Sequence, residues 1–164
     1  MAESHQDDIN KLAEIIKGIR FAMLTTVDED GSLRSRPMTA QDVEFDGSLW
    51  FFTRSDAPKV AEANDHRKVN VSFSDPGASK FVSASGTAVL VRDREKIRQY
   101  WKPVYKTFFP QGLDDPELAL LRIDVESAEY WDAPGTKLGQ MFNFVRARLT
   151  HDPGKLGRHA KVGL

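Results

Sequence analysis

The sequence predicts a mainly β protein, a small antiparallel barrel with peripheral helices. Short apolar segments alternate with period two, tight Asp-Gly and Pro-Gly turns join them, and only a few stretches carry helical spacing. Consecutive strands joined by tight turns cannot run parallel, which disfavours a βαβ sheet and favours a meander that closes on itself.

Taken in order, Ile9, Leu12, Ala13, Ile15 and Ile16 recur at helical spacing after Ser4-His5-Gln6-Asp7, which reads as a capping box. A first helix is expected over about residues 5–18, ending near Gly18. Phe21–Val27 is a short apolar strand, Asp28-Glu29-Asp30-Gly31 a turn, and a second strand from about Leu33 to Phe45 completes a hairpin. Asp46-Gly47 turns the chain into the strand Ser48–Arg54, followed by a helix at about Pro58–Asn64. Lys68–Ser74 and Lys80–Arg92 are strands separated by Asp75-Pro76-Gly77. Val69, Val71 and Phe73 alternate with Asn70, Ser72 and Ser74, the pattern of a sheet with one buried face. Gly86, among small residues, marks a bulge or a barrel bend. Asp93 caps a helix through about Lys102, a Pro110-Gln111-Gly112 loop leads to a helical piece near Pro116–Leu121, and a sixth strand covers Leu121–Trp131 before Pro134-Gly135.

With 164 residues, 40% hydrophobic and 10% aromatic, the chain suits one domain with an ordinary core. The expected organisation is a barrel domain over residues 1–149, including a docked helix at Thr136–Leu149 with Leu138, Met141, Phe142, Phe144 and Val145 on one stripe, then a basic, flexible tail over 150–164. The charges, 23 Lys and Arg against 24 Asp and Glu, leave −1, so no global field draws the protein to nucleic acid or to a membrane. From residue 136 onward six cations (Lys137, Arg146, Arg148, Lys155, Arg158, Lys161) face only Asp152, yet no nucleic-acid reading motif or aromatic platform accompanies them. The absence of cysteine excludes disulfides and thiol chemistry. His5, His66, His151 and His159 lack metal-ligand spacing, so no metal is expected. Met1–Asp8 is polar and acidic, unlike a secretory signal, and no apolar run approaches membrane-spanning length; a cytoplasmic protein is expected.

The stretch most suggestive of a ligand is Leu49–Lys59, where an aromatic strand runs into Thr53, Arg54, Ser55 and Lys59 at a helix start. Unsatisfied N–H groups there carry the positive end of the helix dipole and suit an anion, to which the two cations and two hydroxyls would add charge-assisted bonds. The competing reading is structural: Ser55 or Asp56 caps the helix, Pro58 occupies its first turn, and the cations are solvated.

The ordered set Leu24-Thr25-Thr26, Ser35-Arg36-Pro37-Met38, Trp50-Phe51-Phe52-Thr53-Arg54-Ser55 with Lys59, Val69–Phe73 and Val82–Gly86 resembles the pyridoxamine 5′-phosphate oxidase-like superfamily of FMN-binding split barrels. Within it the general stress protein 26 branch is the best match, and the resemblance spans Ile9 to Pro134. It implies a six-stranded antiparallel FMN-binding split barrel and a homodimer holding two FMN molecules in clefts at the subunit interface. It places Arg36, Pro37 and Met38 on a strand running beside the isoalloxazine ring, with Phe52 and Thr53 continuing that wall. Arg54, Ser55 and Lys59 match the phosphate-binding turn, and Trp131 matches an aromatic that reaches the flavin of the other subunit. Taken singly, Arg36 reads equally as an exposed cation, Pro37 as an edge-strand residue and Trp131 as a packing aromatic.

Departures from the oxidases define the expected function. Phe81-Val82-Ser83-Ala84-Ser85-Gly86 replaces their Gln-Val-Arg strand, Asp132 replaces a Gln, and their Arg-Leu-His-Asp-Arg segment for the substrate phosphate has no counterpart. Vitamin B6 oxidation is therefore not expected. No residue is marked as an acid or base, so the catalytic residues are unassigned. The expected function is FMN binding in a stress-type protein, with oxidoreductase chemistry on a reduced nicotinamide or a small substrate. The alternatives are a flavin store or sensor without turnover, or a split barrel holding a deazaflavin or a haem, the last lacking an evident axial-ligand pattern.

Overall fold

A computed structural model describes residues 2–60, 68–132 and 158–163. Seven strands, β1 (Phe21–Val27), β2 (Leu33–Thr39), β3 (Ser48–Arg54), β4 (Lys68–Asp75), β5 (Lys80–Val91), β6 (Leu118–Asp132) and β7 (Arg158–Gly163), form one antiparallel sheet. Its order is β2-β1-β4-β5-β6-β3, with β7 also beside β6.

β6 organises the barrel. One of its edges pairs with β5 along its length; the other pairs first with β3 (Leu118 to Asp124) and then with β7 (Ser127 to Asp132). The change of partner falls at a register shift between Ser85 and Gly86 that leaves Glu126 without an opposite number on β5. Gly86 is required there, because a Cβ would meet the Asp124 carbonyl oxygen at 2.1 Å. The sheet does not close by a ladder. Its two end strands meet, among the described residues, at the single bridge Ala40↔Phe51, so the barrel is split between β2 and β3.

The helix α1 (Ala2–Ile16) fills the barrel from one side. Ile9, Leu12 and Ile15 share a buried cluster with Leu24, Phe51, Val71, Phe73, Val82 and Ile123, and Gly18, at φ 83°, breaks the helix. A second cluster lies outside the barrel on β3 and β6, where Phe52, Leu118 and Leu120 are covered by Ile97 of α2 (Arg94–Tyr100) and by Tyr105. Asp93 caps α2, its carboxylate accepting from the Glu95 and Lys96 amides at 3.0 and 3.3 Å. Tyr105 lies in the 3-10 turn Pro103–Thr107, and a second such turn spans Gly112–Asp114.

Several expectations are corrected. α1 runs back past Ser4 to Ala2, so the chain is already helical where a capping box was expected. β2 stops at Thr39 rather than near Phe45, because after the Ala40 bridge the chain leaves the sheet and Gln41 accepts a bond from the Tyr105 hydroxyl at 3.0 Å. The segment expected to be helical near Pro116–Leu121 is instead the start of β6, where Leu118, Ala119, Leu120 and Leu121 are buried on both faces. Among the described residues the strands number seven, not six, since residues 158–163 within the expected tail pair with β6. The predicted helix at Thr136–Leu149, the helix expected at about Pro58–Asn64 beyond residue 60, and His66 and His151 lie outside the described residues, as do Lys137, Arg146, Arg148 and Lys155.

Candidate functional site

The split between β2 and β3 gathers the polar groups of greatest chemical interest. Arg36 lies opposite Leu24, so its side chain shares a face with the barrel lining at the sheet's open end. Its guanidinium donates from Nη1 to Thr26 Oγ1 at 2.9 Å, and Thr26 is fully buried. Across the split, β3 ends at Arg54, the chain turns through 55–57, and it becomes helical at 58–60, with Val60 buried beneath. That turn carries Lys59, partly buried, toward Arg36. Burial lowers the Lys59 pKa from the usual 10.5, and the nearby Arg36 charge lowers it further. Both influences disfavour the ammonium, which is the electrostatic condition an anionic ligand relieves. Thr53, fully buried at the end of β3, adds a hydroxyl beside the turn and donates to the Arg54 carbonyl at 3.3 Å.

Arg54 and Ser55 face a different set of partners. Arg54 donates from Nε and Nη2 to the Asp56 carboxylate at 3.0 Å and from Nη1 to Asp115. The Asp56 bond leads in raising the Arg54 pKa, with Asp115 adding to it. Ser55 donates its hydroxyl to Glu117 and its amide to the Glu117 carbonyl at 2.7 Å. The four residues expected to form one cluster are therefore divided. Lys59 lies within the field of Arg36, while Arg54 and Ser55 are bonded to an acidic pair, Asp115 and Glu117. Thr26, Asp115 and Glu117 were not singled out as site residues from the sequence. The acidic partners lie 61 and 62 residues along the chain from Arg54 and Ser55, and no local spacing announces such a contact.

The remaining candidates separate by side chain. Met38 is buried in the main core and Phe52 in the outer aromatic cluster, so at the split these two residues offer main chain rather than side chain. Pro37 is exposed on the outward face opposite Met23. Trp131 also lies on the outward face, paired with Phe81 and 40% exposed. From Leu118, beside Arg54, to Trp131 there is about 40 Å of strand at roughly 3.3 Å per residue, so Trp131 and the 54–59 turn belong to opposite ends of β6. Among the described residues no group of three or more His, Asp or Glu is arranged to hold a metal, and no helix is long and apolar enough to cross a membrane.

Comparison with known proteins fits this geometry. The family model described as pyridoxamine 5′-phosphate oxidase like matches residues 7–153. The protein bli-3 of Neurospora crassa is 27% identical over 164 residues, covering 94% of this chain and 78% of that protein. The general stress FMN/FAD binding protein of Xanthomonas citri is 33% identical, with TM-score 0.67 over 80% of this chain and 92% of that one. A protein from Clostridium acetobutylicum related to general stress protein 26 of B. subtilis superimposes with TM-score 0.71 over 97% of this chain and 96% of its own, at 16% identity, and shows the shared fold. The split antiparallel sheet and the match over residues 7–153 lead to one conclusion: the chain belongs to the pyridoxamine 5′-phosphate oxidase-like family.

Proposed function

We propose that the chain binds FMN, with the phosphate held by Arg36 and Lys59. The observation that carries this reading is the convergence of these two cations at the split, where burial and mutual repulsion both disfavour the Lys59 charge. A dianionic phosphate restores the balance by charge-assisted bonds. Thr26 and Thr53 supply hydroxyls beside it, and the edge of β2 beyond the Ala40 bridge, with Arg36, Pro37 and Met38, supplies main-chain groups for the ring. The Xanthomonas citri relative, named as an FMN/FAD binding protein, supports the cofactor class.

The reading includes a homodimer. Phe21, Met23, Phe81 and Trp131 are exposed on one outward sheet face, which is the surface this reading gives to a second copy, and Trp131, at the far end of β6 from the 54–59 turn, serves in it as an interface aromatic. Bound FMN supplies hydride and electron transfer. The chain's contribution is to fix the phosphate, align the ring along β2 and shield it with aromatic surface. The leading reading of that contribution is a cytoplasmic oxidoreductase using a reduced nicotinamide or a small organic substrate. Among the described residues the groups gathered at the split are two cations and two hydroxyls, with no carboxylate or imidazole beside them, which favours, as second reading, a flavin store or sensor. Steady-state oxidation of reduced nicotinamide above the rate with free FMN separates the two.

The test of the proposal is the visible spectrum of the purified protein followed by titration of the apoprotein with FMN, FAD and riboflavin. Flavin bands and tighter binding of FMN than of riboflavin are expected. A protein indifferent to all three flavins refutes the reading.

A further inference from the structure

The turn that delivers Lys59 is held from outside by carboxylates. Asp115 is only 3% exposed; it accepts from Arg54, and its second oxygen accepts from the Glu117 amide at 2.9 Å. A carboxylate so buried is tolerated only when paired and hydrogen-bonded, so the Arg54 contact is built into the packing rather than a chance surface pair. Glu117 takes the Ser55 hydroxyl on its side chain and the Ser55 amide on its carbonyl, which ties both ends of one residue. Behind them Arg94 of α2 donates to three carbonyls, those of Leu113 at 2.5 Å, Leu118 at 3.2 Å and Asp115 at 3.4 Å. One side chain thus spans the whole 113–118 segment from which both carboxylates project.

We infer that Asp115 and Glu117, held by Arg94, are positioning residues that set the 54–57 turn and thereby aim Lys59, while Arg54 and Ser55 serve as their anchors and not as phosphate ligands. This rests on the reading of the split as a phosphate site. Two physical consequences follow from the geometry. The turn is tied to the 115–117 segment by three bonds, Arg54 to Asp115 and the Ser55 hydroxyl and amide to Glu117, before any ligand arrives, which reduces the ordering cost of binding. A phosphate approaching Arg54 would also meet the charges of Asp56, Asp115 and Glu117, so the anion is directed to the opposite side, where Lys59 and Arg36 stand.

The experiment titrates the full chain with FMN and with riboflavin, in wild type and in Asp115→Asn, Glu117→Ala, Arg54→Ala and the Arg54→Ala/Asp115→Asn double variant. In each single variant FMN affinity should fall about tenfold with riboflavin affinity unchanged, and the double variant should lose no more than the worse single one. If Arg54 instead touches phosphate, Asp115→Asn releases it and FMN binds more tightly, which overturns the inference. Equal loss of both flavins, or no loss, overturns it too, because either makes the carboxylates merely structural. Should Asp115→Asn fail to fold, Glu117→Ala carries the same sign test through Ser55. A wild type that binds FMN no better than riboflavin fails at an earlier point: it removes the phosphate site itself.

Discussion

The two outer faces of the sheet differ in how they are covered. On β3 and β6, Phe52 lies in a nest of rings, 5.5 Å from Trp101, 5.3 Å from Tyr105 and 6.2 Å from Phe109, all supplied by the 94–114 connection. On β1, β4 and β5 the outward positions are Ser72, Ser74, Ser83, Ser85 and Asn70, interspersed with Met23, Phe81 and, at 60% exposure, Phe21. The first face carries its own cover within the chain. The second is left exposed, and the proposed second copy would cover it. Core energetics should therefore concentrate at the first face and association energetics at the second.

The largest expected effect comes from removing the ring on which the first cover is built. Phe52→Ala should cost about 3–5 kcal/mol in denaturant unfolding, the range for deleting a buried aromatic. A loss below about 1 kcal/mol would mean that the helical connection is not a true core layer. Next in size is Gly86→Ala. The added methyl overlaps the Asp124 carbonyl, and backbone cannot rotate away as a side chain can, so about 1–3 kcal/mol or more should be lost as the bulge deforms. Unchanged stability would show that the β5–β6 register is softer than the geometry implies. Phe81→Ser belongs to the opposite face and should cost under about 1 kcal/mol in the unfolding of dilute protein. Its signature should be weaker self-association in sedimentation equilibrium; a full-sized stability loss with unaltered association would erase the contrast between the faces.

That contrast also explains what could be read from the sequence. β4 was legible because one face is buried and the other wet, so Val69, Val71 and Phe73 alternate with polar residues. Gly86 was legible because only a bend or close approach explains a glycine within a strand of small residues. The start of β6 was misread because Leu118–Leu121 is buried on both faces, and a continuous apolar run has no period to separate strand from helix. At the site, the sequence displayed the cations and hydroxyls but not their allegiances. Arg54 and Lys59 are five positions apart, yet one is bonded to Asp56 and, through long-range packing, to Asp115, while the other is partly buried in the field of Arg36. Which of two neighbouring cations is free to meet an anion is decided by tertiary contacts, to which local spacing is blind.

The smallest effect sharpens this difference between the two cations through pH. Lys59 is held below 10.5 by burial first and by Arg36 second, and a bound phosphate favours its charged form, so binding takes up a proton wherever the free site has begun to lose one. The ratio of FMN to riboflavin affinity should be full while Lys59 is protonated and should fall as pH rises through its lowered pKa, before 10.5 is reached. Taking the ratio cancels the ionisation of the ring, which both flavins share. Lys59→Arg should abolish the alkaline fall, because a guanidinium keeps its proton throughout that range. Arg54→Ala should lower the ratio at every pH and leave the midpoint of the fall where it was, since Arg54 acts on the turn and not on the proton. An alkaline limb that persists in Lys59→Arg would assign the titration to another group and remove Lys59 from the phosphate.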